Sequence, residues 1–96
     1  MDIETLRWAE IQARMYQVLT NPRRVLILRA LAGQEMSVGE IAAKVGATMQ
    51  NTSQHLSIMK DRGLLHSRRD GQTIYYFIAD PELLSNLGLS GCEENL

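Results

Sequence analysis

Apolar residues recur along this chain at helical spacing through about residue 62 and at strand spacing after it. Residues 3–19 predict a long first helix with two apolar rows. The rows are Ile3, Leu6, Ala13 and Tyr16 on one side, and Trp8, Ile11 and Met15 on the other. A helix that is apolar on two sides has to bury both, so we expect one row to cover its own domain and the other to meet a second copy of the chain. The alternative, that a single chain buries both rows, stays open.

The second helix is marked by its two ends. Asn21 is a favoured N-cap residue and Pro22 fits the first helical position, so the pair predicts a helix start. Gly33 predicts the end, because glycine readily adopts the left-handed conformation that stops a helix. Between these positions, four consecutive apolar residues at 25–28 indicate a helix that is buried nearly all round.

Two further helices follow, joined by the turn Gly46-Ala47-Thr48. Ser37 and Glu40 have the spacing of a capping box, which begins the first of them. Thr48 is the N-cap candidate for the second, which we expect to run from Met49 to Arg62. Two helices with a tight, glycine-containing turn constitute a helix-turn-helix unit, whose second helix lies in the major groove of DNA.

The second helix of this unit has two unlike faces. The inward face consists of Thr52, Leu56 and Met59, and the outward face of Gln50, Ser53, Gln54 and Ser57. The outward side chains are polar and uncharged, whereas a merely solvated helix usually carries Lys and Glu. Glutamine forms paired hydrogen bonds with adenine in the major groove, and serine forms hydrogen bonds with several base edges. The pattern indicates a face that reads DNA, with a plain polar surface as the alternative.

The remainder of the chain has the period of strands. Leu64 to Arg69 and Gln72 to Ile78 predict two strands, and Asp70-Gly71 between them is a two-residue hairpin signal. Pro81 to Leu87 predicts a short last helix. The fold class is therefore mostly α with a small β component (α+β), a winged helix-turn-helix with the order α-α-α-α-β-β-α.

Basic side chains flank the predicted DNA-reading helix. Lys60 lies near its end, and Arg68 and Arg69 stand beside the hairpin tip. The formal net charge is −1, but residues 21–78 carry eight basic and four acidic side chains, while the flanks carry two basic and seven acidic ones. A basic middle between acidic ends suits a domain with one side turned towards a polyanion. Chance asymmetry is the alternative.

Length and composition limit the remaining classes of protein. The 96 residues suffice for one domain, which we place at residues 1–90 with a frayed tail at 91–96. The single cysteine, Cys92, excludes an intrachain disulfide framework. The sequence shows neither a run of about 20 apolar residues nor a signal peptide, so we expect a soluble cytoplasmic protein without membrane contact.

At this point the sequence resembles the ArsR-type winged helix-turn-helix repressors over about residues 19–80. The matching stretches are Asn21-Pro22-Arg23-Arg24, residues 36–42, Ser53-Gln54-His55-Leu56, Gly63-Leu64-Leu65 and residues 68–76. The resemblance implies a homodimer, paired through the first and last helices, on an imperfect inverted repeat. It also implies base or backbone contacts from Gln50, Asn51, Ser53, Gln54 and His55, and wing contacts from Arg68, Arg69 and Gln72.

The chain departs from that family at its metal-sensing positions. Family members that sense metal do so through cysteines that correspond to residues 36–40, which contain no thiol here, or through Asp and His on the last helix, where no histidine occurs. We therefore expect no metal and no cofactor at the family's known sites. Cys92 is alone, so the cysteine pair of the redox variants is missing; an ordinary tail cysteine is the preferred interpretation.

The expected function is that of a sequence-specific regulator of transcription, as a homodimeric repressor on double-stranded DNA. The dimer is expected to form through Trp8, Ile11, Met15, Leu83, Leu84 and Leu87. A winged-helix module for protein contact is the alternative, although the outward face of the reading helix lacks the apolar residues that it requires. An enzyme is not expected, because the sequence shows no nucleophile–base pair, no glycine-rich phosphate loop and no carboxylate cluster with metal spacing. The patterns identify no effector.

Overall fold

The computed structural model describes residues 1–86, which form helices packed on a small antiparallel sheet. The helices are α1 (Ile3–Gln17), α2 (Pro22–Ala30), α3 (Val38–Val45), α4 (Met49–Asp61) and α5 (Glu82–Asn86), with a 3-10 turn at Val18–Thr20 after α1. The strands are β1 (Met36–Ser37), β2 (Leu65–Asp70) and β3 (Thr73–Ile78). This architecture confirms the predicted winged helix-turn-helix. Leu87, Cys92 and the tail expected at residues 91–96 lie outside the described residues.

One strand, β1, was absent from the predicted order. It lies between α2 and α3, and its two residues Met36 and Ser37 pair with Tyr76 and Tyr75 of β3. The sheet order is β1-β3-β2, which makes β3 the central strand. Two residues are too few to show an alternating pattern, and their partner lies about 40 residues further along the chain. The order predicted from the sequence is therefore corrected by this one strand.

The hairpin turn is shifted by one residue from the predicted position. Asp70 pairs with Thr73, so that Gly71 and Gln72 form the two-residue loop. Gly71 has φ +64°, and no non-glycine residue in the described part of the chain has a positive φ. A positive φ at the first loop position alone fits a type II′ turn, which favours glycine there. Gln72 consequently lies at the tip of the wing and not in its second strand.

The helix starts form as their capping residues predict. The Asn21 side chain accepts hydrogen bonds from the backbone N–H groups of Arg23 and Arg24. The Ser37 hydroxyl accepts one from the Glu40 N–H at 3.2 Å, and the Glu40 carboxylate accepts one from the Ser37 N–H at 2.9 Å, which is the predicted capping box. Each cap satisfies backbone donors that have no partner inside the helix.

The core lies where α2, α3 and α4 meet the sheet. Its fully buried members include Ile27, Leu28, Leu31, Ile41, Leu56, Met59, Leu64 and Leu65. The prediction that α2 is buried nearly all round is wrong, since Leu26 is 43% exposed. In so small a domain, a helix has too few neighbours to cover four successive apolar side chains.

The first helix, α1, has no buried residue. Both of its apolar rows are largely in solvent, so the expectation that one row covers its own domain is wrong. Trp8 is 62% exposed and Ile11 47%, while Met15 is partly buried and packs against the core. Although α1 is long, no helix within residues 1–86 has both the length and the apolarity needed to cross a membrane.

The short helix α5 contributes to the core of its own protomer. Leu83 and Leu84 are each 6% exposed and belong to the same hydrophobic cluster as Leu28 and Leu56. Their assignment to the dimer interface stays a prediction, and side chains that are already this buried offer a partner little surface.

The core contains one buried polar side chain among the described residues, that of Thr52. Thr52 is completely buried, and its Oγ1 has no hydrogen-bond partner. An unpaired buried hydroxyl costs free energy that an isosteric methyl group does not. We expect Thr52→Val to raise the free energy of unfolding by about 1 kcal/mol, measured by urea denaturation at one protein concentration. Leu56→Ala is the control and should lower it by about 2–5 kcal/mol; a less stable Thr52→Val protein would contradict the prediction.

Candidate nucleic-acid interface

The turn between α3 and α4 is held from both sides. Gly46 ends α3 in the left-handed conformation, with φ +68°, and the Ala47 N–H donates to the Ala42 carbonyl at 3.0 Å. From α2, the Arg23 guanidinium donates to the Val45 carbonyl. Arg23 therefore satisfies a carbonyl that the helix end would leave without a partner, and it fixes the end of α3 relative to α2.

The outward face of α4 has the composition that the sequence predicts. Gln50, Ser53, Gln54 and Ser57 are all exposed, while Thr52, Leu56 and Met59 on the opposite face are completely buried. None of the four outward side chains forms a hydrogen bond within the described part of the molecule. The face therefore presents free donors and acceptors on a helix whose inner side is anchored in the core.

The wing places its two arginines on opposite faces of the sheet. Arg68 pairs across the strands with Tyr75, and Arg69 pairs with Ile74. Directly paired residues share a face and successive residues alternate. Arg69 is therefore on the face that packs towards α3 and α4, together with Ile74 and Tyr76, whereas Arg68 is on the outer face. Gln72 is exposed at the tip.

Comparison with known proteins assigns this geometry to a family. The family model described as bacterial regulatory protein, arsR family, matches residues 21–67. The structure of NolR from Sinorhizobium fredii has a TM-score of 0.78 and 41% identity, and the match covers 92% of this chain and 88% of that one. The chain belongs to the arsR family of bacterial regulatory proteins.

Two further proteins of known sequence or structure extend the comparison. The nodulation protein NolR of Rhizobium meliloti is 45% identical over 80 residues, which are 83% of this chain and 66% of NolR, just under two thirds of its length. The homodimeric winged helix-turn-helix DNA-binding domain of Mb0332 from Mycobacterium bovis has a TM-score of 0.82 and 31% identity, with 93% of this chain and 82% of that one covered. The family and the fold confirm the resemblance noted in the sequence.

In this arsR-family chain, His55 is turned towards α2 and away from the outward face of α4. Its Nδ1 accepts a hydrogen bond from the Nε of Arg24 at 3.0 Å, and Arg24 also donates to the Val18 carbonyl at 3.2 Å. Burial lowers the pKa of His55, and the positive charges of Arg24 and Arg23 lower it further. The ring is therefore neutral at pH 7, with its proton on Nε2.

Two other predicted DNA ligands lie at the borders of α4. Asn51 is exposed in its first turn and lines a polar hollow together with Arg23, Thr48 and His55. Lys60 is exposed near the opposite end, and its Nζ donates to the Ser67 hydroxyl of β2 at 2.9 Å. The structure thus brings Gln50, Asn51, Ser53 and Gln54 together, and it leaves His55 and Lys60 in contacts with neighbouring elements.

Several residues of the site have roles that sequence patterns did not reveal. From the sequence, Arg23 and Arg24 were identified only as positive charges within a stretch that matches the family, yet both bind other parts of the protomer. Met49 at the start of α4 is 59% exposed and lies in the concavity between this helix and the wing. The stretch Asn21-Pro22-Arg23-Arg24 was a usable signal, because it matched the family, but its partners Val45 and His55 are distant in sequence.

Metal-ligating side chains are scattered over the described residues. Among residues 1–86, no three His, Cys, Asp or Glu side chains lie close enough together to hold a metal ion.

His66 packs its ring against Phe77 on the outer face of the sheet, with the centroids 5.8 Å apart. The aromatic residues of the outer sheet face, Tyr75 and Phe77, are thus covered by their cross-strand neighbours Arg68 and His66.

The lowered pKa of His55 predicts how stability depends on pH. The unfolded chain protonates this histidine below about pH 6.5, whereas the folded protein resists protonation until a lower pH. The free energy of unfolding should therefore decrease as the pH falls below about 6.5, and the decrease should end near the folded-state pKa. Urea denaturation between neutral and mildly acidic pH measures this. His55→Gln should reduce the decrease, and the exposed His66→Gln should retain it; an equal pH dependence of wild type and His55→Gln would contradict the assignment.

Proposed function

We propose that this chain binds double-stranded DNA as a homodimer and represses transcription from an operator with inverted-repeat symmetry. The observation that carries the proposal is the outward face of α4, where Gln50, Ser53 and Gln54 are exposed and free of internal hydrogen bonds. Side chains of this type read base edges when a helix enters the major groove. Membership of a family of bacterial regulatory proteins supports the same function.

The exposed rows of α1 support the homodimer. Ile3, Leu6, Trp8, Ile11 and Tyr16 are between 39% and 68% exposed along one helix. Apolar patches of this kind mark interaction surfaces, and a second copy of the same helix forms the simplest symmetric cover. The homodimeric state named for the Mb0332 domain supports this assembly. Two-fold symmetry then sets the two α4 helices about 34–36 Å apart, on successive major grooves.

The protein acts in this proposal by binding alone. It occupies a promoter in the cytoplasm without a catalytic step, and any signal that changes the spacing of the two α4 helices releases it. The absence of thiols at residues 36–40 supports regulation that does not use the family's metal sites. The protein-contact alternative lacks support, because positions 50, 53, 54 and 57 carry polar side chains.

Replacement of Gln54 tests the base-reading role of α4. An operator is first selected from a random duplex pool, and affinities are then measured by fluorescence anisotropy for this operator and for a scrambled duplex. Gln54→Ala should weaken operator binding by about 1–3 kcal/mol per subunit, because alanine cannot form the bidentate hydrogen bonds to a base, and should leave scrambled-duplex binding unchanged. Gln34→Ala, in the loop before β1, is the matched control. Equal weakening on both duplexes would remove Gln54 from base recognition.

Replacement of Ile11 tests the α1 interface. Ile11→Asp places a charge in the exposed apolar row and should shift the protein from dimer to monomer in analytical ultracentrifugation, with loss of operator binding. Leu26→Asp is the matched control, because Leu26 is similarly exposed at 43% against 47% for Ile11 but lies on α2. A dimer that tolerates Ile11→Asp would place the interface elsewhere.

A further inference from the structure

The side chain of Arg68 crosses the whole outer face of the sheet. Arg68 is on β2 at one edge, and Glu35 directly precedes β1 at the other edge, with β3 between them. The Arg68 Nε donates to both carboxylate oxygens of Glu35, at 3.1 and 2.9 Å, and its Nη2 donates to Oε1. Between these two edges, the guanidinium lies over the ring of Tyr75 on β3, 4.6 Å from its centroid.

These contacts occupy one edge and one flat side of the guanidinium. Glu35 binds the edge formed by Nε and Nη2, and the Tyr75 ring covers one flat side. The hydrogen bond from Arg68 lowers the pKa of the Glu35 carboxyl, so the pair is ionised at neutral pH and its charges cancel. A phosphate at the edge formed by Nε and Nη2 would have to displace Glu35, and a phosphate elsewhere on this guanidinium would meet the negative charge of Glu35 nearby.

Arg69 is in the opposite situation. It forms no hydrogen bond, ion pair or ring contact with any residue of the described part of the chain. By strand alternation it lies on the face of Ile74, which lines the concavity between the wing and the start of α4 together with Met49 and Ser53. Its charge is therefore available on the side of the molecule that presents the reading helix.

We propose that the two adjacent arginines of the wing have separate roles: Arg69 binds a DNA phosphate, and Arg68 is a positioning residue that fixes the wing. This inference rests on the proposed DNA binding. Glu35 leads through β1 directly into the capping box at Ser37, which begins α3. Through Glu35, Arg68 therefore ties the hairpin to the helix-turn-helix unit and sets where Arg69 meets the DNA backbone.

The salt dependence of DNA binding separates the two roles. The dissociation constant is measured for the selected operator and for a scrambled duplex of the same length over a range of KCl concentrations. Arg69→Ala should lower the slope of log K against log[KCl] by about 0.9 for each phosphate that the variant no longer neutralises, on both duplexes. Arg68→Ala should weaken operator binding several-fold and lower the slope by clearly less than Arg69→Ala does, because it disturbs the position of Arg69 without removing its charge. A fall in slope with Arg68→Ala as large as that with Arg69→Ala, or none with Arg69→Ala, would overturn the proposal.

A charge exchange gives the second test. In E35R/R68E the ion pair is kept with reversed polarity, so operator affinity should recover towards wild type relative to Arg68→Ala. If Arg68 instead binds phosphate, the glutamate at this position repels DNA, and the double variant binds worse than Arg68→Ala on both duplexes; that result would contradict the proposal.

Hydrogen exchange in the free protein tests the positioning role of Arg68 in the absence of DNA. Arg68→Ala should accelerate amide exchange at residues 68–75, and E35R/R68E should restore protection. Unchanged exchange in Arg68→Ala would contradict a positioning role. A wild-type protein that does not distinguish operator from scrambled DNA would instead refute the proposed function, while the exchange rates still report on the contact between Arg68 and Glu35.

Discussion

The burial of one face of α4 is the constraint on which the rest of the molecule depends. Leu56 and Met59 are completely buried against the elements that surround them, and a helix anchored in this way cannot rotate about its axis without opening the core. Because side chains three and four residues apart share a face, this anchor fixes the outward direction of Gln50, Ser53 and Gln54. Recognition chemistry and core packing are therefore properties of the same helix.

Several of the positive side chains in the central segment bind other parts of the protomer. Arg23 and Arg24 bind the end of α3 and His55 of α4, and Arg68 binds Glu35 across the sheet. These side chains join elements that are distant in sequence, so they serve the geometry of the interface before any DNA is present. Counting charges along the chain overstates the number that face a polyanion, because a paired arginine releases few counterions on binding.

The exposed α1 connects stability with assembly. A domain of this size buries a modest share of its surface, and here its longest helix contributes almost nothing to its own core. In the proposed homodimer, pairing of two α1 helices adds apolar burial that the single chain lacks. The free energy of unfolding of such a dimer depends on protein concentration, and a signal that loosens the pairing also alters the spacing of the two α4 helices.

Local patterns in the sequence determined the helix starts at Asn21, Ser37 and Thr48, the two faces of α4 and the presence of the wing. These features depend on residues within one or two turns of each other, so capping chemistry and periodicity suffice to predict them. Tertiary structure alone decided the strand at Met36 and Ser37, the exposure of α1 and the burial of Leu83 and Leu84. It also decided that Arg68 binds Glu35 while Arg69 stays free within the described residues. The partners in these cases are brought together only by folding, and an amphipathic or charged residue looks the same in sequence whether its partner is solvent, its own core or another chain.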